Sequence, residues 1–230
     1  KLAEMYEPDK KTPAVIEFVD IAGLVKGASQ GAGLGNKFLA NIRETDAIVH
    51  VVRCFDDENI MHVVADAGTN VPVDPLGDIE TIDLELIFSD MEMLERRIDK
   101  TKKLAKSDKS LMANVEVYEK VYAVLEEGKT ARTCDLDEDE TAIMDEVGLL
   151  TMKPVIYVAN VNESQLPTID TDPYVQKVRD YAKAEGAEVI ALCAKLEEDL
   201  SELEDEDKEM MMQEYGITES GLDKLIKASY

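Results

Sequence analysis

The sequence predicts an α/β fold: a mostly parallel sheet flanked by helices, with an inserted antiparallel helical hairpin. Three observations carry this. First, short, largely apolar runs at Ala14–Asp20, Ala47–Arg53, Pro154–Ala159 and Glu188–Leu192 are separated by segments of helical character, the pattern of buried parallel strands joined by crossover helices. Second, two long segments, Asp78–Ala105 and Leu111–Glu127, lie between the second and third runs and repeat apolar residues at helical spacing. Such a pair folds back on itself with a coiled-coil-like seam. Third, Gly, Ala and Ser dominate after the first run through Gly35, so the strand feeds a loop there.

Taken in order, AVIEFVD (Ala14–Asp20) reads as a buried strand, Lys37–Arg43 as a short helix, and AIVHVVR (Ala47–Arg53) as a second strand with His50 inside it as a hydrogen-bonded core histidine. Gly68, Pro72 and Pro75 punctuate a long loop from Asp56 to Asp78. The first hairpin helix carries a stripe of Leu86, Met91, Leu94, Ile98 and Leu104, the second a face of Tyr118, Val121, Tyr122 and Leu125, and Gly128 ends it. PVIYVA is the third strand. Pro173 opens the next helix, where its missing N–H is no loss. After the strand Glu188–Leu192, three helical stretches lie near Leu196–Leu203, Asp205–Tyr215 and Ser220–Ala228. The chain thus divides into residues 1–77 (first part of a core, with a switch loop and two strands), 78–150 (the hairpin) and 151–230 (the rest of the core).

Composition sets outer bounds. With 230 residues, 45% of them apolar, the chain can bury a sizeable core. No run of about 18 apolar residues is present to span a membrane, and the opening residues KLAEMYEPDKK lack the apolar region of a secretory signal. Lacking an initiator Met, the sequence reads as an internal piece of a longer protein. Three scattered cysteines, Cys54, Cys134 and Cys193, with no C-x-x-C, fit a reducing compartment. A formal charge of −25 opposes non-specific contact with nucleic acid or anionic lipid. An interaction with RNA phosphates must come from a local basic patch or from a domain outside this sequence, and the one basic cluster runs through Arg96, Arg97, Lys100, Lys102, Lys103, Lys106 and Lys109, near the hairpin tip. A solvated helix end is the plainer reading of that cluster. Asp135–Asp139 imitates the start of a calcium loop, but Glu140 stands where the turn needs Gly, so it reads as an acidic turn leading into a helix near Thr141.

The chemistry concentrates at strand ends, where doubly wound sheets bind ligands. The first run ends in Asp20-Ile-Ala-Gly23, the third in Asn160-Val-Asn-Glu163 and the fourth in Cys193-Ala-Lys195. An Asp followed three residues later by Gly suits a water-linked Mg²⁺ and a backbone N–H close to a terminal phosphate. The five glycines between Gly23 and Gly35 make a segment costly to order, as suits a loop fixed by a γ-phosphate. P-loop GTPases read guanine with N-K-x-D and S-A-K at two successive strand ends. Here Val161 and Glu163 replace the Lys and the Asp, which should degrade guanine selectivity.

With these motifs in order, DIAGLVKGASQGAGLGNKFLANIRETDAIVHVVRCF, KPVIYVANVNE and GLDKLIKASY closely resemble the YchF (Obg-like ATPase) family of Obg-related P-loop NTPases. The resemblance spans essentially the whole chain. It implies a P-loop NTPase-type core with a coiled-coil insertion, hydrolysis of ATP with GTP as the lesser substrate, Mg²⁺ as cofactor, association with ribosomes and a cytoplasmic location, without DNA or membrane partners. Residue by residue, it implies that Asp20 holds the Mg²⁺ shell through water, that Gly23 meets the γ-phosphate, and that Leu24 stands where many GTPases carry a catalytic Gln. A leucine cannot orient a water, so turnover should be slow. Asn160, Val161 and Glu163 then frame the base, with Cys193 and Ala194 closing its other side. His62 is a candidate for positioning the attacking water, against the plainer reading of a solvated loop histidine. No G-x-x-x-x-G-K-[ST] occurs. The resemblance places the phosphate loop before Lys1 and a TGS domain after Tyr230, so the chain alone is expected to be inactive. Two other readings stay open: a GTPase of the wider Obg class, and a helical-hairpin interaction module on an inactive NTPase scaffold that meets ribosomal RNA through Lys100, Lys102 and Lys103.

Overall fold

The computed structural model describes residues 15–21, 34–57 and 72–230. Its elements are α1 (Leu34–Arg43), β1 (Ile48–Arg53), α2 (Pro75–Ala105), α3 (Met112–Glu126), α4 (Glu138–Asp145), β2 (Val155–Asn160), α5 (Pro173–Glu185), β3 (Glu188–Leu192), α6 (Ala194–Ser201), α7 (Asp205–Glu214) and α8 (Gly221–Ala228). The described strands form one parallel sheet in the order β1-β2-β3, with His50 opposite Tyr157 and Asn160 opposite Leu192.

Alternation of side chains gives this sheet two apolar faces, the second of which is left open at Val51 of β1, 60% exposed. On one, Ile48, Val52, Val155, Tyr157 and Ala159 pack against Ile79 of α2 and Val175, Val178 and Ala182 of α5. On the other, Val49, Ile156, Val158, Ile190 and Leu192 meet Leu225 and Ala228 of α8. Gly221 lets α8 start so close, because a Cβ there would lie 2.6 Å from a Leu192 methyl. The helix α5 has a well-specified start and stop. The Asp172 carboxylate accepts from the N–H groups of Tyr174 and Val175, Pro173 occupies the first turn, and Gly186 closes the helix at φ 69°.

The hairpin is α2 with α3. Ile87, Leu94 and Ile98 interlock with Val117, Tyr118, Val121 and Leu125, and Met144 and Leu149 close the cluster. Its return leg is pinned by the fully buried Asp90. That carboxylate accepts from Leu150 N at 2.9 Å, Thr151 N at 2.7 Å and Thr151 Oγ1 at 2.8 Å. Burial pushes the Asp90 pKa up, while these three bonds pull it back. The acidic run ends as an N-cap: Asp137 and Glu140 form a capping box that starts α4.

Three expectations need correction. Residues 15–20 form no strand and are mostly exposed, Val15 at 85%. An apolar run becomes a strand only when a ladder partner is present, and among the described residues this one has none. Leu104, expected in the hairpin stripe, is 49% exposed because it lies beside the buried stripe, which runs through Leu94, Ile98 and Ala105. And α2 begins at Pro75, which sits at its N-terminal turn, instead of at Asp78.

Candidate nucleotide-binding site

Because the strands are parallel, their carboxyl ends lie on one edge, with Arg53, Asn160 and Leu192 in register. The ladder continues past the strands: Cys54 N donates to Asn160 O at 2.8 Å and Val161 N to Leu192 O at 2.9 Å. The Asn160 side chain crosses to the next loop, its Oδ1 accepting from Ala194 N at 3.0 Å. This one bond ties the segment after β2 to the first turn of α6. Val161 and Cys193 are buried at 2% and 4% exposure, so their side chains anchor the two loops and leave backbone groups at the rim.

After Val161 the chain enters a 3-10 segment, Glu163–Thr171, at whose start Gln165 Oε1 accepts from Asn162 N at 2.8 Å. Gln165 Nε2 donates to Cys54 O at 3.0 Å and to Asp172 Oδ2 at 2.8 Å, so one amide joins the ends of β1 and β2 to the start of α5. Burial, then the nearby Asp172 and Asp78 carboxylates, push the Cys54 thiol up to about 12, and it stays protonated. Glu163 turns toward α6 and α7. Its Oε1 pairs with Lys195 Nζ at 3.0 Å and its Oε2 accepts from Tyr215 Oη at 3.3 Å. Behind them, Glu197 accepts from the backbone N–H groups of Gly221 at 2.6 Å and Leu222 at 3.2 Å, fixing α8 beside α6.

Of the residues singled out from sequence, Asn160, Val161, Glu163, Cys193 and Ala194 are brought together by the ends of β2 and β3. Asp20 ends an exposed extended segment, and the adjacent Ile21 packs with Leu39, Ile42, Leu86 and Leu150. Gly23, Leu24 and His62 lie outside the described residues. Sequence reasoning missed Gln165, Tyr215 and Glu197. The Asn162-x-x-Gln165 spacing is a capping-box signature that was there to be read, whereas Tyr215 has no local signal. Among the described residues, His50 has the ring of Tyr157 at 5.6 Å as its partner, and no hydrogen bond of the kind expected.

A parallel sheet with helices on both faces and a helical hairpin between its strands defines an α/β domain of the open-sheet class, which binds ligands at the carboxyl ends of its strands. Residues 3–120 match the family described as 50S ribosome-binding GTPase. The chain is 50% identical over 231 residues to the ribosome-binding ATPase YchF of Bacillus subtilis, and 48% identical over 230 residues to that of Haemophilus ducreyi. Each alignment takes in 100% of this chain, which spans 62% and 61% of those proteins. The solved structure of the Schizosaccharomyces pombe YchF GTPase superimposes with a TM-score of 0.80 at 34% identity, covering 100% of this chain and 61% of that one. The chain belongs to the 50S ribosome-binding GTPase family and is of its YchF type.

Proposed function

We propose that this chain supplies the base-recognition side and the helical hairpin of a cytoplasmic, Mg²⁺-dependent nucleoside triphosphatase that prefers ATP to GTP and associates with ribosomes. The Asn160–Ala194 brace carries the reading. It locks together the two loops at the carboxyl edge of the sheet, where this class of fold binds nucleotides. ATP preference rests on Glu163 and Val161 standing in the places of the guanine-reading Asp and its Lys. Residues 1–77 and 151–230 act as one core and 78–150 as the inserted hairpin. Asp20, Gly23, Leu24 and His62 take the metal, γ-phosphate and water-side roles that the resemblance gives them.

Magnesium, when bound with nucleotide, neutralises charge on the phosphate oxygens. Among the described residues no group of three or more His, Cys, Asp or Glu forms a metal cage. The exposed Asp20 carboxylate fits instead as a single outer ligand, since Mg²⁺ keeps much of its water and takes phosphate oxygens. Asn160→Ala in the full-length protein should weaken both ATP and GTP by about tenfold, the worth of one hydrogen bond at the rim of the site together with the loop order it maintains. Fluorescent-nucleotide competition reads this, and unchanged affinity for both nucleotides would remove Asn160 from the site.

Ribosome association is assigned to the hairpin. Arg96, Lys100 and Lys103 line an open depression on α2 together with Asp99 and Leu104. Lys102 is turned away, paired with Glu119 of α3 at 2.6 Å. On so acidic a chain this is a local cationic face suited to phosphates. Lys100→Glu with Lys103→Glu should cut ribosome co-sedimentation at physiological salt about tenfold or more, two phosphate contacts being reversed in sign, while hydrolysis persists. Co-sedimentation equal to the parent's would move the contact elsewhere.

A further inference from the structure

We infer that Lys195 and Tyr215 set the nucleotide selectivity of this site by clasping the Glu163 carboxylate away from the base. The inference rests on the nucleotide-binding reading above and names the residues that tune it. The two oxygens of Glu163 are held by different elements: Oε1 by Lys195 Nζ at 3.0 Å, from the first turn of α6, and Oε2 by Tyr215 Oη at 3.3 Å, from the end of α7. The two holds differ in stiffness. Tyr215 packs against the cluster that contains Val161, Leu166, Cys193 and Leu196, which fixes its hydroxyl. The Lys195 side chain is 74% exposed and supplies charge more than position. The same contact pushes the Tyr215 pKa up, with the facing Glu163 charge as the largest cause.

Guanine and adenine ask different things of this carboxylate. Guanine offers two adjacent donors, N1–H and the exocyclic amine, and a carboxylate reads them by presenting both oxygens side by side. In the clasped state those oxygens face α6 and α7, and the Lys195 ammonium offsets the charge that would attract the guanine donors. Adenine offers an acceptor at N1 and a donor at N6, which backbone groups at the rim can satisfy without a carboxylate. The clasp therefore works against GTP and is neutral toward ATP. Length alone does not account for the lost guanine reading, since Glu reaches at least as far as Asp; the direction in which Glu163 is held does.

The test uses the full-length protein with Mg²⁺, measuring ATP and GTP affinities by competition against a fluorescent nucleotide, with melting temperatures checked for every variant. In Lys195→Ala/Tyr215→Phe, GTP affinity should rise about tenfold relative to ATP, the loss of two partly exposed charge-assisted contacts. Tyr215→Phe, which keeps the packed ring, should give the larger share alone. Adding Glu163→Gln to the double variant should abolish the gain, because an amide cannot accept from both guanine donors. An unchanged GTP-to-ATP ratio in a folded, nucleotide-binding double variant overturns the clasp, and so does loss of both nucleotides by the double variant when the parent binds them. A parent that binds neither nucleotide instead overturns the proposed function itself.

Discussion

Glu185→Ala is expected to destabilise the protein by about 3–5 kcal/mol, the usual cost of removing one partner from a buried ion pair. Glu185 closes α5 with its side chain only 7% exposed, and it collects three donors from two other parts of the fold. Its Oε2 accepts from Arg132 Nη1 at 3.0 Å and Tyr157 Oη at 2.7 Å, and its Oε1 from Thr130 Oγ1 at 2.6 Å. Arg132 is itself 10% exposed, and its buried Nε has no partner, so the guanidinium depends on this carboxylate for neutralisation. Truncation leaves a buried cation and two orphaned hydroxyls, each unsatisfied donor adding to the loss. Glu185→Gln keeps an acceptor but not the charge, and should fall between the parent and Ala. Urea unfolding gives the difference directly. A loss below about 1 kcal/mol, the range of solvent-screened pairs, would mean that water reaches Arg132. The contact also has a functional side: Thr130 and Arg132 follow the hairpin, while Tyr157 sits on the same strand as Asn160. Loosening it should blunt nucleotide binding along with stability.

These long-range ties mark the boundary of what sequence reading reached. The strands Val155–Asn160 and Glu188–Leu192 and the helix Pro173–Glu185 were legible because continuous apolar runs, a proline and a terminal glycine are local signals. The hairpin was legible from the period of Leu94 and Ile98, while Leu86 of the same expected stripe packs with Leu39, Ile42 and Leu150 instead. The Asn160–Ala194 relation was legible in outline because two short motifs at successive strand ends have only one place to meet. Residues 15–20 misled because an apolar run carries no information about whether a ladder partner stands beside it. Glu185 looked like one more acid in a chain with 50 of them, and Tyr215 like helix filler. Their roles depend on partners 28 to 55 positions away in the sequence, which no local period encodes.

The same network holds two groups that titrate in opposite senses, and separating them gives the second large effect. Burial pushes the Asp83 carboxyl from 3.8 up to about 6; the Glu185 and Glu80 charges add to this, while the Tyr181 hydroxyl bond at 2.8 Å and Arg132 oppose it. Burial, then Arg132, hold the His50 imidazole down from 6.5 to about 4, with Glu185 pulling the other way. For Asp83 the folded state binds its proton more tightly than the unfolded chain. Its favourable contribution is therefore complete below about pH 4 and lost as pH rises through 6. For His50 the folded state binds the proton less tightly, so its contribution is complete above about pH 6.5 and lost as pH falls through 4. Each swing amounts to about 3 kcal/mol at about 1.4 kcal/mol per tenfold in proton affinity. In the parent the two slopes oppose each other between pH 4 and 6. Asp83→Asn, whose amide oxygen still accepts from Tyr181, should stabilise the protein by up to about 3 kcal/mol at pH 7, a gain that shrinks to nothing near pH 4. His50→Gln should show the reverse: relative to the parent, its stability should improve as pH falls from 6.5 to 4. Denaturant unfolding of the parent and both variants at four pH values between 4 and 7 measures these differences with the common background of surface carboxylates cancelled. A gain for Asp83→Asn that is the same at pH 4 and pH 7 would show that Asp83 carries its charge without penalty. The acid would then be solvated through the seam between α2 and α5, and the hairpin would meet the core across water instead of through a dry contact.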